Sequence, residues 1–282
     1  MSLQSMKEML VNARKDGYAI GAFEFWSFDS AQAAVEAAEM ENVPIILQAG
    51  KIECEFACGE KTLYTIAKTV AESAHIPVAL HLDHAEEYND IIRAMDAGFT
   101  SVMFDGSKLP FEENVSISRK VVEAAEKYGV TVEAELGMLG GSENTISVTR
   151  EEATQTDPKQ AKLFVQMTNV DALAIAIGTA HGFYTTTPHI NIPKLKEIAK
   201  VVDIPLVLHG GSGTPEDQVR QAIQNGISKV NICTEFVATF GKTYIQTQSQ
   251  HGYKYSIPGL FNPSKQAGKQ LALSKIRLFK GV

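Results

Sequence analysis

Short runs dense in valine, isoleucine, leucine and alanine alternate along this chain with longer stretches in which apolar residues return every three or four positions. The short runs lie at 19–23, 43–48, 76–82, 101–104, 131–136, 172–177, 205–208 and 229–232. Polar alternation inside them is weak, so each reads as a strand covered on both faces, the habit of parallel sheets. Stretches between them, such as 30–40, 113–128 and 215–225, carry the helical period. Successive runs start 24 to 41 residues apart, room for one strand and one helix each time, and eight such units close into a (β/α)8 TIM barrel. Ser30 is placed to cap the first of these helices, Pro215 suits a first helical turn, and Gly98, Gly129 and Gly226 follow helix ends. The rhythm breaks once, at the polar, glycine-containing stretch 137–157 between the fifth strand and its helix. An irregular segment of that length inside a compact domain suits an active-site lid. No linker interrupts the pattern, and the reading is one barrel domain over 1–282.

Composition narrows the function classes. At 282 residues and 44% hydrophobic the chain can bury one large core. Lys and Arg number 26 against 33 Asp and Glu, a net charge of −7, and no basic run is available to neutralise the phosphates of a nucleic acid. No apolar run approaches the roughly 18 residues of a membrane span, and a basic-then-apolar leader is missing from the start, so the expected location is cytoplasmic. Three cysteines, an odd number, argue against a disulfide framework, and Cys54 with Cys58 lacks the second pair that a zinc ribbon needs.

Barrel chemistry sits at the carboxyl ends of the strands. Four of the seven histidines, His81, His84, His181 and His209, fall at or just past the ends of the third, sixth and seventh strands. Three imidazoles converging from separate strands leave a coordination position open, the form of a catalytic zinc site. A strand's period of two puts His81 and Asp83 on one face and His84 on the other, so His84 reaches the mouth only if the strand breaks after Asp83; pattern alone leaves the choice open. The Gly210-Gly211-Ser212-Gly213 turn and the Asn231-Ile232-Cys233-Thr234 segment each precede a helix, in the loops where barrels hold phosphate. Asp83, Glu133 and Glu135 lie near the same rim, Glu143 lies in the lid segment, and Asp105 reads as structural.

The motifs HLDH at 81–84, VEAELG at 132–137, TDPKQA at 156–161, GTAHG at 178–182, LHGGSG at 208–213 and KVNICTE at 229–235 together resemble the class II, metal-dependent ketose-bisphosphate aldolases, the fructose- and tagatose-bisphosphate family of carbohydrate metabolism. The resemblance implies zinc on His84, His181 and His209, with His81 in support and Glu135 able to approach the metal in an alternative position. It implies a Lewis-acid aldol cleavage yielding dihydroxyacetone phosphate and an aldehyde, without a lysine Schiff base. Asp83 would exchange the C4 hydroxyl proton and Glu143 a proton on the enediolate carbon. The C1 phosphate would lie on Gly182, Gly210, Gly211, Ser212, Asn231 and Thr234, with a monovalent cation (Na+ or K+) near Gly182 and a homodimer or homotetramer as the assembly.

Four departures from the family pattern stand out, and apart from the minor one at Ala85 they bear on the substrate's far end. Ala85 replaces the family's usual glycine, Glu24 its asparagine after the first strand, Cys233 an aspartate and Val237 an arginine. Glu24, if it pointed into the mouth, would repel a second phosphate, and Val237 offers no donor for one. Two other readings fit parts of the pattern: a phosphosugar-binding barrel that has lost catalysis, and a metallohydrolase. Retention of Asp83, Glu143 and all three histidines speaks against the first, and a first strand ending Phe23-Glu24-Phe25, with no His-x-His pair, against the second.

Overall fold

The computed structural model describes residues 2–143, 146–148, 153–184, 186–252 and 254–281, without the side chains of 142–143 and 146–148. Eight parallel strands close a barrel: β1 (Ile20–Glu24), β2 (Ile45–Ala49), β3 (Val78–Ala85), β4 (Ser101–Phe104), β5 (Thr131–Leu136), β8 (Ala172–Ile175), β10 (Leu206–Leu208) and β11 (Ile227–Ile232). Each pairs with the next, and β1 pairs with both β2 and β11 to complete the ring. The expected runs and the observed strands agree to within a few residues at each end. Around the ring lie α1 (Met6–Asp16), α2 (Phe28–Glu41), α3 (Lys51–Phe56), α4 (Glu60–Ser73), α5 (Tyr88–Ala97), α6 (Phe111–Ala125), α7 (Pro158–Thr168), α8 (Ile192–Ala199), α9 (Glu216–Gln224), α10 (Thr234–His251) and α11 (Ile257–Lys280). None of the helices is long and apolar enough to cross a membrane, among the described residues.

Local signals set these boundaries. Ser27, rather than Ser30, caps α2, and Ser30 completes a reciprocal capping box from the third helical position. Asp157 accepts from the Lys159 and Gln160 amides to start α7, and Asn191 does the same for Lys194 at α8. Pro215 precedes α9 as its cap residue instead of lying within the first turn.

The barrel interior changes character along its axis. Ile20, Ala22, Ile46, Ala79, Met103, Ala172, Ala174 and Val207 pack with Met6, Met9, Leu10 and Ala13 of α1 into an apolar plug. Two residues further along the same inward faces stand Glu24, Gln48, His81 and His209, with Asp83, Glu133, Glu135, Lys229 and Asn231 completing a buried polar layer. Larger apolar residues on the outward faces pack against the helices in a second cluster. Because a strand's side chains repeat every two residues, one continuous interior face carries both plug and polar layer.

Within 137–157, the described residues include two short strands. β6 (Gly140–Glu143) and β7 (Ile146–Val148) form an antiparallel pair, and β6 runs parallel to the short β9 (Ala180–His181). Gly141 sits at φ +99°, and a Cβ there would collide with the His181 backbone, so only glycine lets the hairpin lie this close to that histidine.

Candidate active site

β3 carries the irregularity that decides among the histidines. Its register with β4 runs His81 to Ser101 and Leu82 to Val102, then slips so that Ala85 meets Phe104, and His84 takes φ +46°. One extra residue on β3 is a bulge, and it re-aims His84 from the outward face into the mouth. The backbone break that sequence pattern left open is therefore present. His84, His181 and His209 are all buried, and each offers a ring nitrogen within 4.8 Å of the others. His81 lies one layer deeper, its Nδ1 2.7 Å from Ser101 Oγ.

Neighbouring carboxylates orient two of the three rings. His84 Nδ1 donates to Asp105 Oδ2 at 2.9 Å, and His209 Nε2 donates to Glu133 Oε1 at 2.9 Å. The remaining nitrogens, His84 Nε2 and His209 Nδ1, then face each other at 2.7 Å. Two imidazole lone pairs at that separation repel unless a proton or metal ion lies between them: a proton on His84 fills that place here, and a metal ion that displaced it would find both nitrogens as ligands. Burial pushes His181 and His209 below the usual imidazole range, helped by the charge on His84, which favours the neutral, ligating form. Burial also opposes charge on His84, but Asp83 and Asp105 outweigh it and raise that group well above the usual range. Asp105, expected to be structural, is thus what holds His84. Glu135 Oε2 is buried without a hydrogen bond, 3.8 Å from His84 Nδ1, and burial reinforced by Asp105 raises its carboxyl well above the usual range. An orphaned carboxylate oxygen there suits a cation as well.

Asp83 points into the polar layer. It accepts from Gln48 Nε2 at 2.9 Å and from Asn231 Nδ2 at 3.2 Å, with His81 Nε2 3.6 Å away. Burial works to raise its carboxyl, yet His84, the His81 contact and His209 prevail and hold it well below the usual carboxylate range. Below it, Lys229 is wholly buried and donates to Glu133 Oε2 at 2.9 Å. Burial alone would raise the Glu133 carboxyl, but Lys229 and His209 hold it at about 2. Lys229→Met strands the Glu133 charge, so a loss of about 3–5 kcal/mol in stability is expected by denaturant titration of the metal-free protein. A Glu133→Gln/Lys229→Met double variant more stable than Lys229→Met confirms that the stranded charge is the cause.

The phosphate-type loops lie beside the imidazoles. The Gly211 N–H donates to the Asn231 carbonyl at 3.1 Å, which ties the loop after β10 to the end of β11. Gly210 sits at φ +67° with its Cα against the Ala180 carbonyl, Ser212 Oγ accepts from the Glu235 N–H at 3.2 Å, Thr234 opens α10, and Gly182 follows His181 at φ +85°. Asn231, expected among the phosphate residues, turns its amide to Asp83.

Other expectations fare differently. Glu24 turns into the barrel, but it is fully buried and hydrogen-bonded to Gln48 and to the Gly50 N–H within the polar layer rather than exposed to solvent. Glu143 ends β6, but its side chain lies outside the described residues. None of the three cysteines forms a disulfide, and burial followed by the charge of Glu60 pushes the Cys54 thiol up to about 12, which suits an inert core residue rather than a ligand. Gln48 and Lys229 were not anticipated as site residues; the signal for each is a polar side chain at an inward position of an otherwise apolar run.

A cavity of about 450 Å³ opens against Asp83 and His84 and is lined by Lys51, Glu55, Glu60, Glu86, Glu87, Asp90 and Arg93. Its cations are engaged: Arg93 bonds Asp90 at 2.7 Å and Glu60 at 3.2 Å, and Lys51 lies 3.9 Å from Asp90.

The family model described as fructose-bisphosphate aldolase class-II matches residues 4–282. The chain belongs to that family. A fructose-bisphosphate aldolase of Staphylococcus epidermidis is 39% identical over 284 aligned positions, which cover 99% of this chain and 98% of the relative. Among solved structures, the YdjI aldolase of Escherichia coli K12 superposes with a TM-score of 0.86 at 32% identity, covering 98% of this chain and 97% of that one. A fructose-bisphosphate aldolase of Campylobacter jejuni, at 22% identity and a TM-score of 0.85, shares the fold across 100% of this chain and 96% of its own. The chain is accordingly a class II aldolase, a lyase that carries out metal-dependent aldol cleavage of ketose phosphates. Neither alternative reading draws support from these relatives.

Proposed function

We propose that the enzyme reversibly cleaves a ketose 1-phosphate to dihydroxyacetone phosphate and an aldehyde, with His84, His181 and His209 holding zinc. The observation that carries this reading is an ionised, buried Asp83 one residue before an imidazole of a converged three-histidine cluster. When bound, the zinc ion supplies a Lewis acid at the carbonyl end of the substrate. Asp83 takes the C4 hydroxyl proton as the C3–C4 bond breaks and returns it in synthesis. Glu143, carried on the hairpin that lies along His181, delivers a proton to C3 of the departing fragment, and 137–157 serves as the lid. Glu135 offers the metal an alternative position.

The C1 phosphate rests on Gly182, Gly210, Gly211, Ser212 and Thr234 at the start of α10, with Asn231 joining the two loops, and a monovalent cation (Na+ or K+) belongs near Gly182. A helix amino end and closely approached backbone amides favour such an anion. The enzyme is further proposed to be a cytoplasmic homo-oligomer, a dimer or tetramer.

The far end of the substrate is where this chain departs from bisphosphate aldolases. Val237 lies half-exposed on α10 with no donor to give, and the cavity beside Asp83 presents Glu55 and Glu87 while its Arg93 is already paired with Asp90 and Glu60. Lys51 and Lys254 are the residues able to compensate. A ketose 1-phosphate with an uncharged tail is therefore the preferred substrate, and losing one charge-assisted contact costs fructose 1,6-bisphosphate about 1.5–3 kcal/mol, roughly 10- to 150-fold. Measuring kcat/KM for fructose 1,6-bisphosphate, tagatose 1,6-bisphosphate and fructose 1-phosphate side by side decides the point; a clear preference for either bisphosphate overturns it.

A further inference from the structure

Glu24 is a buried carboxylate in the polar layer that the proposed chemistry does not use directly. It stands at the end of β1, in register with Gln48 of β2, which is in turn in register with His81 of β3. Both hydrogens of the Gln48 amide are committed to carboxylates, one to Glu24 Oε2 at 3.1 Å and one to Asp83 Oδ2 at 2.9 Å. Gln48 Oε1 is buried without a hydrogen bond among the described residues, so nothing on its oxygen side fixes how the amide faces. The two carboxylates alone impose that orientation. The other Glu24 oxygen, Oε1, accepts from the Gly50 N–H at 3.0 Å, where α3 begins.

We propose that Glu24 is a positioning residue for proton transfer: by anchoring the Gln48 amide it fixes the carboxylate of Asp83 at the angle from which it meets the C4 hydroxyl. This rests on the reading of Asp83 given above. A carboxylate suits the post because it accepts at both oxygens, from Gln48 on one side and Gly50 on the other, whereas an amide of the same shape sets a donor against one of those donors. Without the Glu24 anchor, Gln48 is held only by the group it is meant to hold, and Asp83 keeps one firm neighbour fewer. The replacement of the asparagine seen elsewhere in the family by Glu24 then reads as a change in how Asp83 is held rather than as a decayed substrate contact.

The test compares Glu24→Gln, Gln48→Ala and the double variant as zinc-loaded enzymes in two assays. One is cleavage of fructose 1-phosphate. The other is exchange of the C3 proton of dihydroxyacetone phosphate with deuterated solvent, followed by NMR, a half-reaction that has no C4 hydroxyl to serve. Cleavage kcat should fall about 10- to 100-fold in Glu24→Gln, the scale of a misplaced catalytic group, with KM and zinc content little changed. Exchange should stay within about twofold, and the double variant should fall no further than the worse single one, since coupled residues do not add. Independent losses that multiply in the double variant, an equal loss in the exchange assay, or full cleavage by Glu24→Gln each overturn the proposal. Gln48→Ala leaves Glu24 and its Gly50 contact in place, so it must show the same split even if Glu24→Gln does not fold. Asp83→Ala run alongside separates the two possible failures. Normal cleavage there sinks the role given to Asp83 and this proposal with it; slow Asp83→Ala beside normal Glu24→Gln sinks the positioning alone.

Discussion

Treatment with a chelator abolishes aldol cleavage by this protein, and zinc restores it. The expectation follows from how the three imidazoles are held. Asp105 and Glu133 engage one nitrogen each of His84 and His209, which leaves the opposed pair at 2.7 Å as donors with a common focus, and His181 is kept neutral beside them. Among the described residues no side chain in the site replaces a divalent ion as an electron sink: the buried Lys229 ammonium is bound to Glu133 in the layer below the imidazoles. His209→Ala removes a ligand and one of the two partners of Glu133 together, and is expected to lose bound zinc and activity alike. Asp105→Ala removes only the orienting carboxylate, and its zinc affinity should weaken about 10- to 100-fold. Metal analysis beside turnover checks all of these, and a fully active metal-free preparation refutes the zinc role.

The second large effect belongs to Asp83. Asp83→Ala should keep zinc and still bind dihydroxyacetone phosphate, while cleavage drops by roughly 10²–10⁴-fold, the usual worth of a positioned acid–base group. The separation is expected because the carboxylate is held by Gln48 and Asn231, not by the three-histidine cluster, and because its depressed proton affinity keeps it ionised and ready to accept. Zinc content and cleavage rate measured on the same preparation decide it. Loss of zinc in Asp83→Ala identifies the residue as a ligand instead.

The barrel was legible in the chain because each of its eight strands is buried on both faces and amphipathic helices lie between them, so the two periods alternate along most of the chain. The site was legible as residue types at strand ends. Its wiring was not. The left-handed His84 leaves no mark on hydropathy, since a bulge is settled by pairing with β4 rather than by the local run. Gln48 and Lys229 looked like isolated polar residues within apolar strands, and their partners lie 35 and 96 positions away, at Asp83 and Glu133. The direction of Glu24 is conditional in the sequence because it follows the apolar run; β1 continues through it and carries it into the buried polar layer. The β6–β7 pair is glycine-rich at its start, and its strand character comes from docking along β9 rather than from propensity.

The ring closure between β1 and β11 also bears on how activity emerges during folding. Asp83, on β3, is steadied by an amide from β2 and by another from β11, so the acid–base group acquires its full set of neighbours only after the last strand has docked against the first. With β1 and β11 unpaired, β3 and β10 would lie four strands apart in one open sheet, and neither the imidazole cluster nor the Asp83 cradle would be assembled. Catalysis in this molecule thus reports circular completeness rather than secondary-structure content, and return of turnover during refolding times the joining of the chain's two ends.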